Sequence, residues 1–167
     1  MKLSKADVQD RLGRIKLLSL DVDGVMTDGG LYYTDEGVQF RKFNVKDGLG
    51  IKRAMKAGMQ ICIISASKQT STYIRAAHLG IQHVRIGAED KIKELEDIIS
   101  TLGASLDEVA HMGDDLTDVP VMEAVGLALT VCDAVEEALE AADYVTQKGG
   151  GKGAVREICD LIVKANA

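Results

Sequence analysis

Asp21 and Asp23 stand two positions apart in the segment LDVDGVMTDGG (20–30). In extended backbone, residues i and i+2 face the same side. One carboxylate can then attack phosphorus, while the second protonates the leaving oxygen and later activates water. Three more polar clusters follow: Ser65 in IISAS (63–67), Lys91 in the pair Asp90-Lys91, and Asp114 and Asp115 in GDDLTD (113–118). Carboxylates gathered without cations repel one another. An oxygen-only donor set suits a hard divalent cation, and Mg²⁺ is the economical choice. It would offset the repulsion between an attacking carboxylate and a phosphate. A Ser hydroxyl and a Lys ammonium would hold the phosphoryl oxygens, and the amides of Gly24, Gly29 and Gly30 are expected to approach the phosphate.

These residues lie far apart in the chain, so regular elements must bring them together. Ser4 caps a helix over 5–13. Short apolar runs at 15–20, 60–65, 81–86, 109–112, 126–131 and 143–146 read as buried strands. Helices are expected at 47–57 (ending at Gly58), 68–79 (stopped by Gly80), 89–102, 115–124, 133–141 and 154–165. Ser105 with Glu108 forms a capping box over a brief turn. Two β-prone pieces within 31–43 flank Asp35-Glu36-Gly37 and predict a hairpin. Strands alternating with helices make a Rossmann-like three-layer α/β/α sandwich with a mostly parallel sheet. Ligands bind such sheets beyond the carboxyl ends of the strands. There the first strand runs into Asp21, the second into Ser65, and the strand at 109–112 into Gly113-Asp114-Asp115.

Composition bounds the rest. The 167 residues, 46% hydrophobic and 28% charged, suit one folded domain over 1–167. A net charge of −6 and only 4% aromatics argue against a nucleic-acid partner. No apolar run approaches the ~18 residues a membrane span needs, so no membrane partner is expected. The N-terminus lacks the long apolar core of a signal peptide. Cys62, Cys132 and Cys159 are odd in number and scattered, which argues against a disulfide framework and for a reducing cytoplasm. His78, His83 and His111 have no metal-ligand spacing and are read as structural or exposed. Gly149–Gly153 with Lys152 reads either as an anion-binding nest or as a flexible turn.

The segments 20–30, 63–67, 90–91 and 113–118, in that order, resemble the four motifs of the haloacid dehalogenase superfamily. KFNVKDGLGI (42–51), VMEAVGLAL (121–129) and ADYVT...GGGKGAVREICDLI (142–162) narrow the resemblance to a subgroup that hydrolyses 2-keto-3-deoxy sugar acid phosphates. The resemblance implies Asp21 as nucleophile and metal ligand, Asp23 as acid/base and carbonyl ligand, and Ser65 and Lys91 as phosphate holders. It implies Asp114 as the remaining metal ligand, with Asp115 and Asp118 supporting. It assigns Asn44, Val45, Lys46, Asp47, Gly48 and Lys52 to a substrate loop, together with Ser67 and Arg75. Only 44 positions separate Asp21 from Ser65 (65 − 21), and 26 separate Ser65 from Lys91 (91 − 65). A cap domain would need a larger insertion, so none is expected. In capless relatives a homotetramer closes the site with the hairpin.

One departure bears on the substrate. Relatives carry Thr-Gly-Arg or Thr-Gly-Glu where this chain has Ser65-Ala66-Ser67. Ser67 removes a charge that would meet the sugar acid. The leading expectation is 3-deoxy-D-manno-octulosonate 8-phosphate as substrate, which implies lipopolysaccharide synthesis. Nonulosonate 9-phosphates are the alternative. From other classes, a phospho-acceptor receiver-like module and a subunit that has lost chemistry are also considered.

Overall fold

The computed structural model describes residues 2–167. Its central sheet contains β1 (Leu17–Leu20), β4 (Gln60–Ser65), β5 (His83–Ile86), β6 (Val109–Gly113), β7 (Leu127–Thr130) and β8 (Tyr144–Val145), in the order β5-β4-β1-β6-β7-β8. Every neighbouring pair in it is parallel. A separate antiparallel hairpin pairs β2 (Tyr32–Tyr33) with β3 (Gln39–Phe40), and Gly37 in its turn has φ of 80°.

Among the described residues seven α-helices cover the sheet: α1 (Lys5–Leu12), α2 (Val45–Lys56), α3 (Ser71–Leu79), α4 (Lys91–Leu102), α5 (Val119–Ala124), α6 (Glu136–Ala141) and α7 (Ala154–Ala165). One sheet face packs Leu18, Leu20, Ile61, Ile63, Met112 and Leu129 against α1, α2, α3 and α7. The other packs Leu17, Cys62, Ile64 and Val109 against α4 and α5. Strands covered on both faces must be apolar on both, and β1 is buried at all four positions. Among the polar residues buried in the strands, Ser19 and His111 are wholly buried and sit opposite each other in the β1–β6 register. Between β1 and β4 the chain inserts only the hairpin and α2, so this is a capless three-layer α/β/α sandwich.

Several helices begin later than their sequence patterns predict. α4 starts at Lys91 rather than 89 because Asp90 is its cap, Oδ1 accepting from the Ile92 and Lys93 amides at 3.1 and 3.2 Å. α5 starts at Val119 rather than 115; residues 115–118 form a turn that swings Asp118 inward, and Pro120 occupies the first helical turn. α3 starts at Ser71 and α6 at Glu136, each after a turn. The strand expected at 81–86 begins at His83, since the Ile81 amide closes the end of α3 on Ala76 O at 3.0 Å. The strand expected at 15–20 begins at Leu17, since Ile15 N still bonds Leu12 O at 3.2 Å. Conversely, α2 starts earlier than 47, because Asn44 caps it by accepting from the Lys46 amide at 2.8 Å. Chain order reverses between β1 and β6, where a doubly wound sheet opens a crevice.

Candidate active site

The crevice holds a cavity of about 130 Å³. Its walls are Asp21 and Asp23 after β1, Ser65, Ala66 and Ser67 after β4, Lys91 at the start of α4, and Asp114, Asp115, Thr117 and Asp118 after β6. Four separated motifs therefore converge because parallel strands all present their carboxyl ends to one rim. A larger cavity of about 440 Å³ lies at the opposite end, near Arg14, Leu17, Met59 and Asn166. No carboxylate lines it among the described residues, so chemistry is assigned to the smaller, acidic one.

Lys91 is the hub of the site. Its Nζ donates to Asp21 Oδ1 at 2.6 Å and to Asp118 Oδ1 at 2.7 Å, with all three side chains almost wholly buried. Burial alone would depress the ammonium, yet the two carboxylates outweigh it and hold Lys91 protonated beyond its usual range. Asp118 is lowered to about 2: burial opposes ionisation, but hydrogen bonds and charge from His111 and Lys91 prevail. Asp21 moves the other way, pushed above the usual carboxylate range by burial and by Asp118, against the pull of Lys91. Asp114 is pushed up to about 7 by burial, then by Asp118 and Asp115. Behind this cluster runs a buried relay. Ser19 Oγ lies 3.0 Å from His111 Nδ1, and His111 Nε2 lies 3.0 Å from Asp118 Oδ1.

The donor set fits a hard cation. Asp21, Asp114 and Asp118 each bring a carboxylate oxygen within 4.8 Å of the others. Asp118 is engaged by Lys91, His111 and the Asp114 amide at 3.2 Å. Asp114 has no salt-bridge partner among the described residues, and burial, then neighbouring carboxylates, push Asp21 and Asp114 upward. Gly24 (φ 89°) makes room for this carboxylate, since a Cβ there would overlap Asp114 Oδ2.

Glycine amides are used differently from the sequence expectation. Gly24 N and Gly29 N donate to Thr27 Oγ1 at 3.3 and 3.2 Å, and Gly30 N donates to Asp28 Oδ1 at 3.0 Å. These amides shape the loop, because Thr27 and Asp28 already occupy them. Gly149–Gly153 resolves as a packing turn rather than an anion nest. Gly150 N donates to Asp133 Oδ1 at 2.9 Å, Gly151 N to Val25 O at 3.0 Å, and a Cβ on Gly150 would overlap Gly24 O.

The expected substrate loop does not line the cavity of its own chain. Asn44 Nδ2 donates to Gly151 O at 2.9 Å, and Asp47 Oδ1 accepts from Arg156 N at 2.8 Å. Val45, Lys46 and Lys52 are exposed, whereas Gly48 is buried against Arg75. Arg75 stacks on Phe43 and donates to Asn44 O at 3.2 Å. Of the histidines, His78 is exposed, His83 half-buried and His111 part of the relay. All three cysteines are free thiols.

Sequence reasoning missed Arg41, which follows β3. Its Nε and Nη2 grip Asp23 at 2.6 and 2.7 Å, and Nη2 also donates to Ser67 Oγ at 2.6 Å. No local motif marks it. Eighteen positions separate it from Asp23, and only the docking of the hairpin closes that gap.

Known proteins bear on this arrangement. A family model described as haloacid dehalogenase-like hydrolase matches residues 64–158. The chain is 44% identical over 160 residues to the 3-deoxy-D-manno-octulosonate 8-phosphate phosphatase of Escherichia coli strain K12, covering 96% of this chain and 85% of that one. Its structure is similar to that of the enzyme of the same name from Moraxella catarrhalis, solved with magnesium, phosphate and KDO. There the TM-score is 0.92 at 37% identity, over 95% of this chain and 91% of that one. The Yersinia pestis enzyme of that name matches with a TM-score of 0.92 at 43% identity, over 96% and 86% of the two chains.

Proposed function

We propose that this chain, which belongs to the haloacid dehalogenase-like hydrolases, is a Mg²⁺-dependent phosphatase acting on 3-deoxy-D-manno-octulosonate 8-phosphate. The carrying observation is the convergence of Asp21, Asp23, Ser65, Lys91 and Asp114 on one cavity, in a chain this similar to phosphatases of that name.

Asp21 attacks phosphorus, and the bond from phosphorus to the sugar oxygen breaks as the aspartyl-phosphate forms. Asp23, across the cavity, gives its proton to the leaving oxygen, then takes one from the water that cleaves the intermediate. Lys91 and the Ser65 hydroxyl hold the phosphoryl oxygens, and Asp118 keeps the ammonium in place. Asp21, Asp114 and the Asp23 carbonyl are the residues that would hold Mg²⁺. When bound, the cation supplies positive charge against the repulsion between carboxylate and phosphate. Asp115 supports the turn that carries Asp114.

The chain acts as a single hydrolase domain. Substrate contacts from the exposed Val45, Lys46 and Lys52 reach a neighbouring copy's cavity in a homotetramer, with Asn44, Asp47, Gly48 and Arg75 shaping that loop from within, while Ser67 serves its own. Exposed apolar side chains support this assembly: Leu31 is 62% and Val45 80% exposed. No described helix is long and apolar enough to cross a membrane. A cytoplasmic place in lipopolysaccharide synthesis goes with the substrate.

The test is phosphate release with and without Mg²⁺ across octulosonate 8-phosphate, nonulosonate 9-phosphates and hexose phosphates. The expected result is the highest kcat/KM on the octulosonate, with turnover lost in Asp21→Asn and Asp23→Asn. A preference for a nonulosonate would move the substrate. A persistent phosphoprotein without turnover would favour the receiver reading, which nothing in the similarities supports.

A further inference from the structure

Ser67 carries no charge, yet the group that donates to its hydroxyl does. The guanidinium of Arg41 arrives there from the hairpin and bridges Asp23 to Ser67. The Gln39 side chain, accepting from the Gln69 amide group, ties the same hairpin to the loop after β4. The Arg41 side chain is 2% exposed, whereas its partner Asp23 is 35% exposed. The remaining nitrogen, Nη1, is buried with no hydrogen-bond partner among the described residues. A planar fork of this kind recognises carboxylates in two-point fashion. A buried, unpartnered donor on a bound guanidinium is a cost that a second anionic oxygen would relieve.

We infer that Arg41 is the specificity-determining residue that reads the substrate's carboxylate, and that in doing so it releases Asp23 for proton transfer. The inference rests on the sugar acid phosphate reading above. Without substrate, both Asp23 oxygens are held by the fork. An incoming carboxylate bonds Nη1 and Nη2 in the same two-point fashion and takes the guanidinium from Asp23 in exchange. No covalent bond changes in this step; one ion pair replaces another. Asp23 then has its oxygens available to the leaving group and to water. A phosphate ester without a carboxylate leaves Asp23 engaged, so discrimination enters through kcat as well as KM.

Two measurements test this in the full-length protein. The first compares kcat/KM of wild type, Arg41→Gln and Arg41→Lys on octulosonate 8-phosphate and on a hexose 6-phosphate. Arg41→Gln should cut the ratio between the two substrates about 30-fold, as expected for one lost charge-assisted pair. Arg41→Lys, keeping charge but not the fork, should fall between. An equal loss on both substrates would overturn the inference, since Arg41 would then serve only to orient Asp23. The second titrates the dephosphorylated octulosonate into wild type and Arg41→Gln by calorimetry, with circular dichroism confirming that the variant folds. Affinity should fall about tenfold or more, and unchanged affinity would sink the carboxylate assignment. Binding needs no turnover. If wild type released no phosphate from any sugar acid, the hydrolase reading would fall while this arm still decided Arg41.

Discussion

Replacing Lys91 by Met tests whether this ammonium is what allows Asp21 and Asp118 to be buried together. Its Nζ stands 2.6 Å from one carboxylate and 2.7 Å from the other, and the three side chains are 3%, 7% and 1% exposed. Removing one partner of a buried ion pair costs about 3–5 kcal/mol, because the remaining charge stays desolvated. In a domain of this size each kcal/mol moves Tm by about 2–4 °C, so the expected drop is about 6–20 °C. The assay is thermal unfolding by circular dichroism with chelator present, near neutral pH. The sign of the pH effect follows from the same charges. Acid protonates the orphaned carboxylates and relieves their repulsion, so the gap to wild type shrinks as pH falls. Adding Asp118→Asn removes one orphaned charge and should recover part of the loss, as coupling between touching residues requires. A Tm for Lys91→Met within about 2 °C of wild type, less than about 1 kcal/mol, would refute the reasoning.

Three further outcomes are expected. Asp114 holds its proton up to about 7 in the fold. A value raised above the ordinary one means its stabilising contribution is complete at low pH and is lost as pH rises through that value. Chelated wild type should therefore lose Tm as pH rises from about 4 to about 7 and level off above that, and Asp114→Asn should lose less; identical losses would exclude the effect. Gly150→Ala would drive a Cβ into the Gly24 carbonyl. Overpacking against backbone should cost about 1–3 kcal/mol and lower kcat by displacing the loop that carries Asp23; unchanged Tm and kcat would contradict the packing. His111→Phe takes a partner at 3.0 Å from both Asp118 and the buried Ser19. About 2 kcal/mol of stability should go, and kcat should fall more than KM rises; a KM-only effect would show that the relay does not position Lys91.

Much of the fold was legible because its determinants are local. Ser105 with Glu108 forms the capping box that its spacing predicts, and Ser4 caps α1 as expected, with Asp7 closing a second box. Gly80 and Gly103 adopt left-handed φ at helix ends. Short apolar runs bounded by acidic residues became strands buried on both faces. Errors gathered at helix starts, where Asp90, Thr70 and Asp118 occupy caps or turns; a cap belongs to no periodic pattern, so periodicity alone overruns it.

Asp21, Asp23, Ser65, Lys91 and Asp114 are legible in the sequence by itself, because each closely follows a strand or starts a helix in a repeating βα pattern. That pattern places strand ends at one rim whatever the loops do. The partnerships among these residues were not legible. Lys91 joins Asp21 to Asp118 only because α4 and the turn before α5 pack on the same sheet face. Ser19 and His111 meet only through the β1–β6 register. Arg41 reaches Asp23 and Ser67 only because the hairpin folds back over the rim. Residue type and spacing determine what chemistry is present and roughly where each strand delivers it. Which charges neutralise which depends on contacts between segments distant in sequence, and only the packed fold sets those distances.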